Sequence, residues 1–205
     1  MKKIMFNDKN GLTQAVLEGR KTQTRRIITY PKTFKGKNVC GLWVYRWKVD
    51  GAITEICMYD EDEISIDGGQ ILPKYKVGEI VAVAQSYRDC GGVNEEGVPM
   101  WEIISSKVGG TNAGWSNKMF VRAELMPHRV RITAVRAERL RDISDVDCMA
   151  EGINYYEQEG FSWCSTGKLF DTPREAYAAL IDKVSGKGTW ENNPYVFVYD
   201  FELVK

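Results

Sequence analysis

The sequence has little of the chemistry on which several classes of protein depend. Its 205 residues include one histidine and five cysteines without a Cys-x-x-Cys pair, so we expect neither a disulfide framework nor a metal site. His128 accompanies no Gly-x-Ser-x-Gly motif, which gives a histidine-based triad little support. No apolar run approaches the ~20 residues of a membrane span, and the N-terminus lacks a signal-peptide core. We therefore expect a soluble, cytoplasmic protein with no cofactor and no membrane partner.

An excess of charge of one sign is also absent. The 28 Lys and Arg residues balance 28 Asp and Glu residues, which excludes an indiscriminate polyanion binder, and 43% hydrophobic residues predict a folded core. The charges are nevertheless segregated along the chain. Residues 20–48 include nine basic and no acidic residues, residues 55–67 include six acidic and no basic ones, and residues 122–141 are rich in arginine. Neutrality therefore leaves room for a local basic cleft.

Apolar spacing, turn residues and helix caps predict a β-rich α+β fold. The predicted elements are a helix at Leu12–Val16 stopped by Gly19, a hairpin at 41–59 turning at Val49-Asp50-Gly51, a buried strand within 76–83, mostly loop at 89–118, a long strand or bulged pair within 120–140, a short helix from Ser144 to Gly152, a helix from Thr172 to Gly186, and a strand at 195–204. We count four to seven strands and three short helices. They predict a barrel with peripheral helices, in one domain spanning 1–205 with insertions at about 30–70 and 89–118.

The loop after the first helix is the strongest candidate for chemistry. Lys21 and Thr24 are three residues apart, so that a compact turn would bring an amine beside a hydroxyl. Threonine is a poor nucleophile unless a base takes its proton, and lysine serves as that base only where burial or nearby cations lower its pKa. Arg20, Arg25 and Arg26 supply such cations and favour an anionic ligand such as a nucleotide or RNA. The alternative interpretation is a basic surface turn without catalysis.

Two further positions are candidates. Glu151 falls in the last turn of the helix that begins near Ser144, where a carboxylate faces the negative end of the helix dipole. A nearby cation such as Lys21 would relieve this penalty, whereas the alternative is a simply solvated side chain. Among six tryptophans, Trp190 adjoins a polar turn and is the one we single out for stacking on a base.

Several segments together resemble a known family. Gly19-Arg20-Lys21-Thr22-Gln23-Thr24-Arg25-Arg26 is similar to the G-x-K-x-x-[TE]-x-R signature of the ASCH domain, a PUA-like β-barrel superfamily associated with RNA. The other matching segments are, in order, Tyr75–Glu79, Met126–Thr133, Leu140–Ile153 and Trp190–Val196. The chain resembles the longer ASCH proteins found in phages and prophages, over residues 19 to 204.

The resemblance implies an activity. Small bacterial ASCH proteins hydrolyse N4-acetylcytidine without a metal, and the positions that carry their chemistry match Lys21, Thr24 and Glu151. By this likeness Lys21 is the general base, Thr24 attacks the amide carbonyl, and Glu151 orients the lysine or shuttles a proton. Binding of the nucleoside or RNA falls to residues of the cleft: Arg20, Arg25, Arg26, Trp190, Asn193 and Tyr195.

Two other functions stay open at this point. The first is a non-catalytic RNA-binding module that uses the same basic cleft, with an affinity that falls as salt rises. The second is a phage accessory protein that contacts a host partner through the insertions. Convergence of Lys21, Thr24 and Glu151 in one pocket is the observation that separates the enzyme from these alternatives.

Overall fold

The computed structural model describes residues 1–46, 53–91, 96–109, 112–157, 159–164 and 168–204. The strands in these ranges are β1 (Lys3–Ile4), β2 (Gln23–Ile27), β3 (Thr33–Phe34), β4 (Lys37–Asn38), β5 (Gly41–Arg46), β6 (Ile53–Tyr59), β7 (Ser65–Gln70), β8 (Ile80–Val83), β9 (Arg129–Arg139), β10 (Asn154–Tyr156), β11 (Gly160–Ser162) and β12 (Tyr195–Val204). The helices are α1 (Leu12–Leu17), α2 (Met100–Val108), α3 (Asp145–Ala150), α4 (Pro173–Ser185) and α5 (Thr189–Asn192).

Five strands form the main sheet, in the order β1-β8-β9-β12-β2. β1 runs parallel to β8, and every other neighbouring pair is antiparallel. The long strands β9 and β12 lie at the centre and pair along their whole length, with one irregularity between Asp200 and Phe201. Among the described residues no pairing joins β1 to β2, so the hydrogen-bonded sheet is open at both edges. The mixed α+β class is thus confirmed.

The main core lies between this sheet and the helices. Strands β8, β9 and β12 contribute residues such as Val81, Val130 and Val198, which are fully buried. They pack with the apolar faces of α1 and α4, of which Val16 and Leu180 are members. Burying these side chains supplies most of the favourable free energy of folding, at about 25 cal/mol per Å² of apolar surface. The helices therefore fix the position of the segments that follow them.

Four predicted elements are confirmed, and their caps explain why. Gly19 follows α1 with φ of +73°, a backbone conformation that costs glycine least. The Ser144 side chain accepts from the N–H of Asp147 at the start of α3, and the Thr172 side chain accepts from the N–H of Glu175 at the start of α4. The terminal strand, β12, spans Tyr195–Val204 as its alternating pattern predicts.

The insertion at 30–70 is largely β-structure. β3 and β4 form one hairpin, while β5, β6 and β7 form a separate three-stranded sheet. The predicted hairpin at 41–59 is therefore confirmed in its strands, but its turn at Val49-Asp50-Gly51 lies outside the described residues. Ile56 of β6 packs with Ile28 and Ala137, which attaches this sheet to the main one.

The prediction of loop for 89–118 is wrong for part of that range. Helix α2 spans nine of its residues, and Ile104 is fully buried in a second core with Tyr87 and Met126. Glycines and asparagines on both sides of the helix hide this short apolar pattern. The expected four to seven strands and three helices are likewise too few for the part of the chain that the structure describes.

The strand predicted within 120–140 begins later than expected, at Arg129. Residues 123–125 form a 3-10 turn instead. The Lys3 ammonium donates to the carbonyl oxygens of Met119 (2.6 Å) and Val121 (2.8 Å). Those carbonyls are thus bonded by a side chain from β1, a distant contact that the local sequence pattern does not encode.

The cap of α4 gives a test of the fold. Thr172→Ala removes the oxygen that accepts from the N–H of Glu175, so we expect the free energy of unfolding to fall by about 1 kcal/mol. Urea denaturation monitored by circular dichroism measures this change. Thr172→Ser keeps a capping hydroxyl and should lose about half as much or less. Equal stability of Thr172→Ala and the unaltered chain would contradict the assigned cap.

Candidate active site

A sharp turn after α1 brings Lys21 into the interior. The carbonyl of Ala15 accepts from the N–H groups of both Arg20 and Lys21, each at 2.9 Å, which turns the chain back across the end of the helix. The next residue, Thr22, donates its N–H to Ala150 at the end of α3 and accepts from Phe201 of β12. The start of β2 is thereby fixed between the sheet and α3. Lys21 is only 2% exposed, so the interpretation as a surface turn is wrong.

Lys21 meets Glu151 directly. Its Nζ lies 2.5 Å from Glu151 Oε2 and 2.7 Å from the Glu151 carbonyl oxygen. Glu151 is the C-cap residue of α3 and is 4% exposed, which rules out the interpretation as a solvated side chain. The ammonium of Lys21 therefore stands at the negative end of the helix dipole and offsets the penalty of the carboxylate there.

Burial changes the acid–base behaviour of Lys21. Loss of hydration in this interior site lowers the pKa of its ammonium below the ordinary value of 10.5. The carboxylate of Glu151 opposes the effect, and the guanidinium groups of Arg25 and Arg26 add to it. Lys21 is therefore closer to deprotonation than an exposed lysine.

Arg25 holds Glu151 from a second side. Its guanidinium has no exposed surface and lies 3.3 Å from Glu151 Oε1, 2.6 Å from Glu138 Oε1 and 3.2 Å from Asp147 Oδ2. Gln23 donates to Asp147 at 2.9 Å and accepts from Arg25. Both oxygens of the Glu151 carboxylate thus face a cation, and Arg25, although it lines the same cavity as Lys21, is a buried ion-pair partner and not an exposed phosphate ligand.

Thr24 lies on the same cavity as the ion pair. Lys21, Thr24 and Glu151 all line a cavity of about 250 Å³. Its apolar walls come from α4, from α1 and from the segment before α1: Phe6, Leu12, Tyr177, Leu180 and Ile181. Among the side chains that the structure describes, Lys21 Nζ donates to Glu151 and not to Thr24. The three candidate residues thus share one cavity, with two of them already in contact.

Two arginines of the motif differ in their placement. Arg20 is exposed, pairs with Glu18 at 2.6 Å and reaches Asn154, and it is not one of the described residues that line the cavity. Arg26 is half-buried and does line it. Its Nη2 donates to the carbonyl of Met5 at 2.5 Å, which fixes the guanidinium at the cavity wall.

The remaining predicted binding residues lie elsewhere. Trp190 packs edge-on against Tyr177, with 6.2 Å between ring centroids, and its backbone N–H donates to the Asp182 carboxylate near the end of α4, at 2.8 Å. Asn193 has φ of +44° and accepts from the backbone N–H of Arg141. Tyr195 lies under the guanidinium of Arg139, at 3.7 Å. None of the three lines the Lys21 cavity in the described structure, since the turn before β12 is anchored to the end of β9.

The sequence pattern missed the aromatic walls of the cavity. Tyr177 lies within the helix predicted from Thr172 to Gly186 but was not singled out as a site residue, and nor was Phe6. The Phe6 ring centroid lies 6.0 Å from Lys21 Nζ and 5.6 Å from the Arg26 guanidinium. An aromatic residue beside two cations is a recognisable pattern, but only after the fold brings residues 6 and 21–26 together.

Comparisons with protein-family models, curated proteins and solved structures return no match. The likeness to ASCH proteins therefore rests on the sequence motifs alone. Among the described residues, no helix combines the length and the apolar character that crossing a membrane requires. Nor does that part of the chain hold a group of three or more His, Cys, Asp or Glu side chains arranged to bind a metal ion.

The buried ion pair predicts a large effect on stability. Lys21→Met leaves the Glu151 carboxylate buried with Arg25 as its one close cation, so we expect the free energy of unfolding to fall by about 3 kcal/mol. Urea denaturation measures it. The double variant Lys21→Met/Glu151→Gln removes both charges and should recover part of the loss.

Lys76→Met is the matched control, because Lys76 is exposed and is not one of the described residues that line the cavity of Lys21 and Glu151. We expect it to change the stability by less than about 0.5 kcal/mol. Equal losses for Lys76→Met and Lys21→Met would contradict a stabilising role of the ion pair.

Proposed function

We propose that this protein is a PUA-like, ASCH-type amidohydrolase that removes an acyl group from a nucleobase. The observation that carries the proposal is the 2.5 Å contact between Lys21 and Glu151 in a cavity that Thr24 also lines. N4-acetylcytidine is the test substrate, and its choice rests on the resemblance of residues 19–26 to the ASCH signature. The cavity, at about 250 Å³, is below the ~300 Å³ of sites for drug-sized ligands, which favours a small group such as one base.

The hydrogen bonds of Lys21 support its role as the base. A neutral lysine has two N–H groups and one lone pair. The two acceptors on Glu151, Oε2 and the carbonyl oxygen, use both N–H groups. The lone pair is then directed away from Glu151, and in the proposed reaction it accepts the proton of Thr24, which lines the same cavity. Glu151 therefore acts by orienting the amine.

The proposed reaction proceeds in two steps. Thr24 Oγ attacks the amide carbonyl carbon as its proton passes to Lys21 Nζ. The bond from that carbon to the N4 nitrogen breaks, and the proton moves from Lys21 to the departing amine. Water then attacks the ester carbonyl carbon as its proton passes to Lys21 Nζ, the bond from that carbon to Thr24 Oγ breaks, and the proton moves from Lys21 to Thr24 Oγ as acetate is released. The lowered pKa of Lys21 makes its neutral form accessible for both steps.

A non-catalytic function of the same cavity is the second candidate. The pairing of Lys21 with Glu151 favours it, because a charged lysine that donates to a carboxylate is a stable structural unit and a poor base. In that case the cavity binds a nucleoside or RNA base without changing it. Measured acetate release separates the two candidates.

The hydroxyl of Thr24 is the first test of the enzyme. Thr24→Val removes the nucleophile while keeping the shape of the side chain, so kcat for acetate release from N4-acetylcytidine should fall at least about 100-fold. Thr24→Ser keeps a hydroxyl and should retain measurable activity. Full activity of Thr24→Val would overturn the assigned nucleophile, and no release by the unaltered protein would favour the binding module.

The pH profile tests Lys21 and Glu151 together. Because the base must be unprotonated, kcat/KM should rise with pH through the pKa of Lys21, which lies below 10.5. Glu151 raises that pKa, so Glu151→Gln should move the rising limb to lower pH. The exposed Glu159→Gln is the control and should leave the limb in place. A limb that stays fixed or moves to higher pH in Glu151→Gln would contradict the roles of both residues.

A further inference from the structure

A second cavity, of about 360 Å³, adjoins the first. Both cavities are lined by Arg26 and Ile27. The backbone just before α1 contributes one residue to each, with Met5 lining the second cavity and Phe6 the first. The guanidinium of Arg26 bonds to Met5 and stacks near Phe6, so this group stands at the boundary between the two spaces.

The charge at the second cavity has one sign. Three cations line it, Lys3, Arg26 and Lys74, and its described lining includes no carboxylate. Lys3 is committed to carbonyl groups of the 119–121 turn. Lys74 is exposed, and the contact that the described structure gives its ammonium is the ring of Tyr75, at 5.4 Å from the centroid. Lys74 therefore has its hydrogen-bonding capacity available for an anion, with Arg26 close to the same space.

The inner surface of this cavity is aromatic and apolar. The Tyr75 hydroxyl donates to the carbonyl of Lys3, and the Tyr199 hydroxyl accepts from the N–H of Lys74, both at 2.9 Å. The two rings meet edge to face with centroids 5.2 Å apart. Phe197 follows at 6.3 Å from Tyr199 and is half-buried, so part of its ring faces the cavity. Tyr75 and Tyr199 are both buried and shape the wall of the cavity, whereas Phe197 is the more accessible of the three rings.

Flat apolar rings beside unpaired cations are the combination that binds nucleotides. A base stacks on an aromatic side chain, while its phosphate takes charge-assisted hydrogen bonds from lysine and arginine. A cavity of about 360 Å³ lies within the range of small-molecule sites. Arg26 lines both cavities, so a phosphate bound to Arg26 would lie at the wall that they share.

We propose that the second cavity is a nucleotide subsite, in which Lys74 and Arg26 bind a phosphate and Phe197 contacts the attached ring. This assignment rests on the proposed function. It makes the substrate a nucleotide that bears a phosphate, either alone or within a nucleic-acid strand, and not a free nucleoside. The base in the Lys21 cavity carries the reacting group, and the phosphate joined to it lies at the Arg26 boundary.

Binding of ligands without an acetyl group tests the subsite independently of hydrolysis. Isothermal titration calorimetry on the full chain compares cytidine, cytidine 5′-monophosphate, cytidine 3′-monophosphate and a cytidine trinucleotide. We expect the best phosphorylated ligand to bind at least about tenfold more tightly than cytidine. Lys74→Gln should reduce this preference about tenfold, while Lys76→Gln, an exposed neutralisation outside both cavities, should preserve it.

The ligands also distinguish the source of the phosphate. Tighter binding of a cytidine monophosphate than of cytidine indicates that the subsite takes the terminal phosphate of a free nucleotide. Tighter binding of the trinucleotide alone indicates that it takes a phosphate within a nucleic-acid strand. Phe197→Leu keeps an apolar side chain and should weaken the phosphorylated ligands by losing ring stacking. A urea unfolding curve of Phe197→Leu that matches the curve of the unaltered chain shows that the weaker binding does not come from a loss of stability.

Failure of the subsite and failure of the enzyme proposal give different results. An unchanged preference in Lys74→Gln, or no preference in the unaltered chain, overturns the subsite whether or not acetate is released. A Lys74-dependent preference without any acetate release keeps the subsite and overturns hydrolysis alone.

Discussion

Burial of the Lys21 ammonium beside Glu151 is the constraint on which the rest of the site depends. Removing two charges from water costs several kcal/mol for each ion, and a single contact rarely offsets that cost. Here the carboxylate meets two cations, Lys21 and Arg25, and Arg25 in turn meets Glu138 and Asp147. The ions are therefore stable only as a set, and that set joins β2, β9 and α3. The same desolvation lowers the pKa of Lys21, so one physical cause underlies both the architecture and the proposed chemistry.

The network also explains how a chain without net charge builds a basic cleft. Residues 20–48 carry no acidic side chain, and their buried arginine finds its partners far along the sequence, at Glu138, Asp147 and Glu151. The charge of Arg25 is thus neutralised by these ion pairs, as the charge of the exposed Arg20 is by Glu18. Within the described ranges Arg26 pairs with no carboxylate, and it bonds to the backbone carbonyl of Met5. The positive charge left for a ligand is therefore small and local, which agrees with recognition of one phosphate better than with binding of long polyanions.

The elements that local chemistry determines could be predicted from the sequence. The caps of α3 and α4 and the alternation of β12 are short-range signals, and Lys21, Thr24 and Glu151 stood out through spacing and helix position. The positions of the other candidate residues depend on tertiary packing. Asn193 and Tyr195 were assigned to the cleft through the resemblance, and Trp190 also as an aromatic residue beside a polar turn, but that turn is anchored to β9 and none of the three lines the Lys21 cavity in the described structure. Phe6 was missed because its place beside Lys21 and Arg26 depends on tertiary packing alone.

The alternation of side chains along β2 connects the two proposed sites. Gln23 and Arg25 bond to carboxylates of the network, whereas Thr24 and Arg26 stand opposite Tyr199 and Phe197 of β12. Thr24, Arg25, Arg26 and Ile27 all line the Lys21 cavity, so one short strand supplies both an ion pair that holds Glu151 and part of the cavity wall. A shift of one residue in the pairing of β2 with β12 would turn each β2 side chain to the other face and take Arg25 away from Glu151. The register of β2 is therefore as necessary to the site as the identity of its residues.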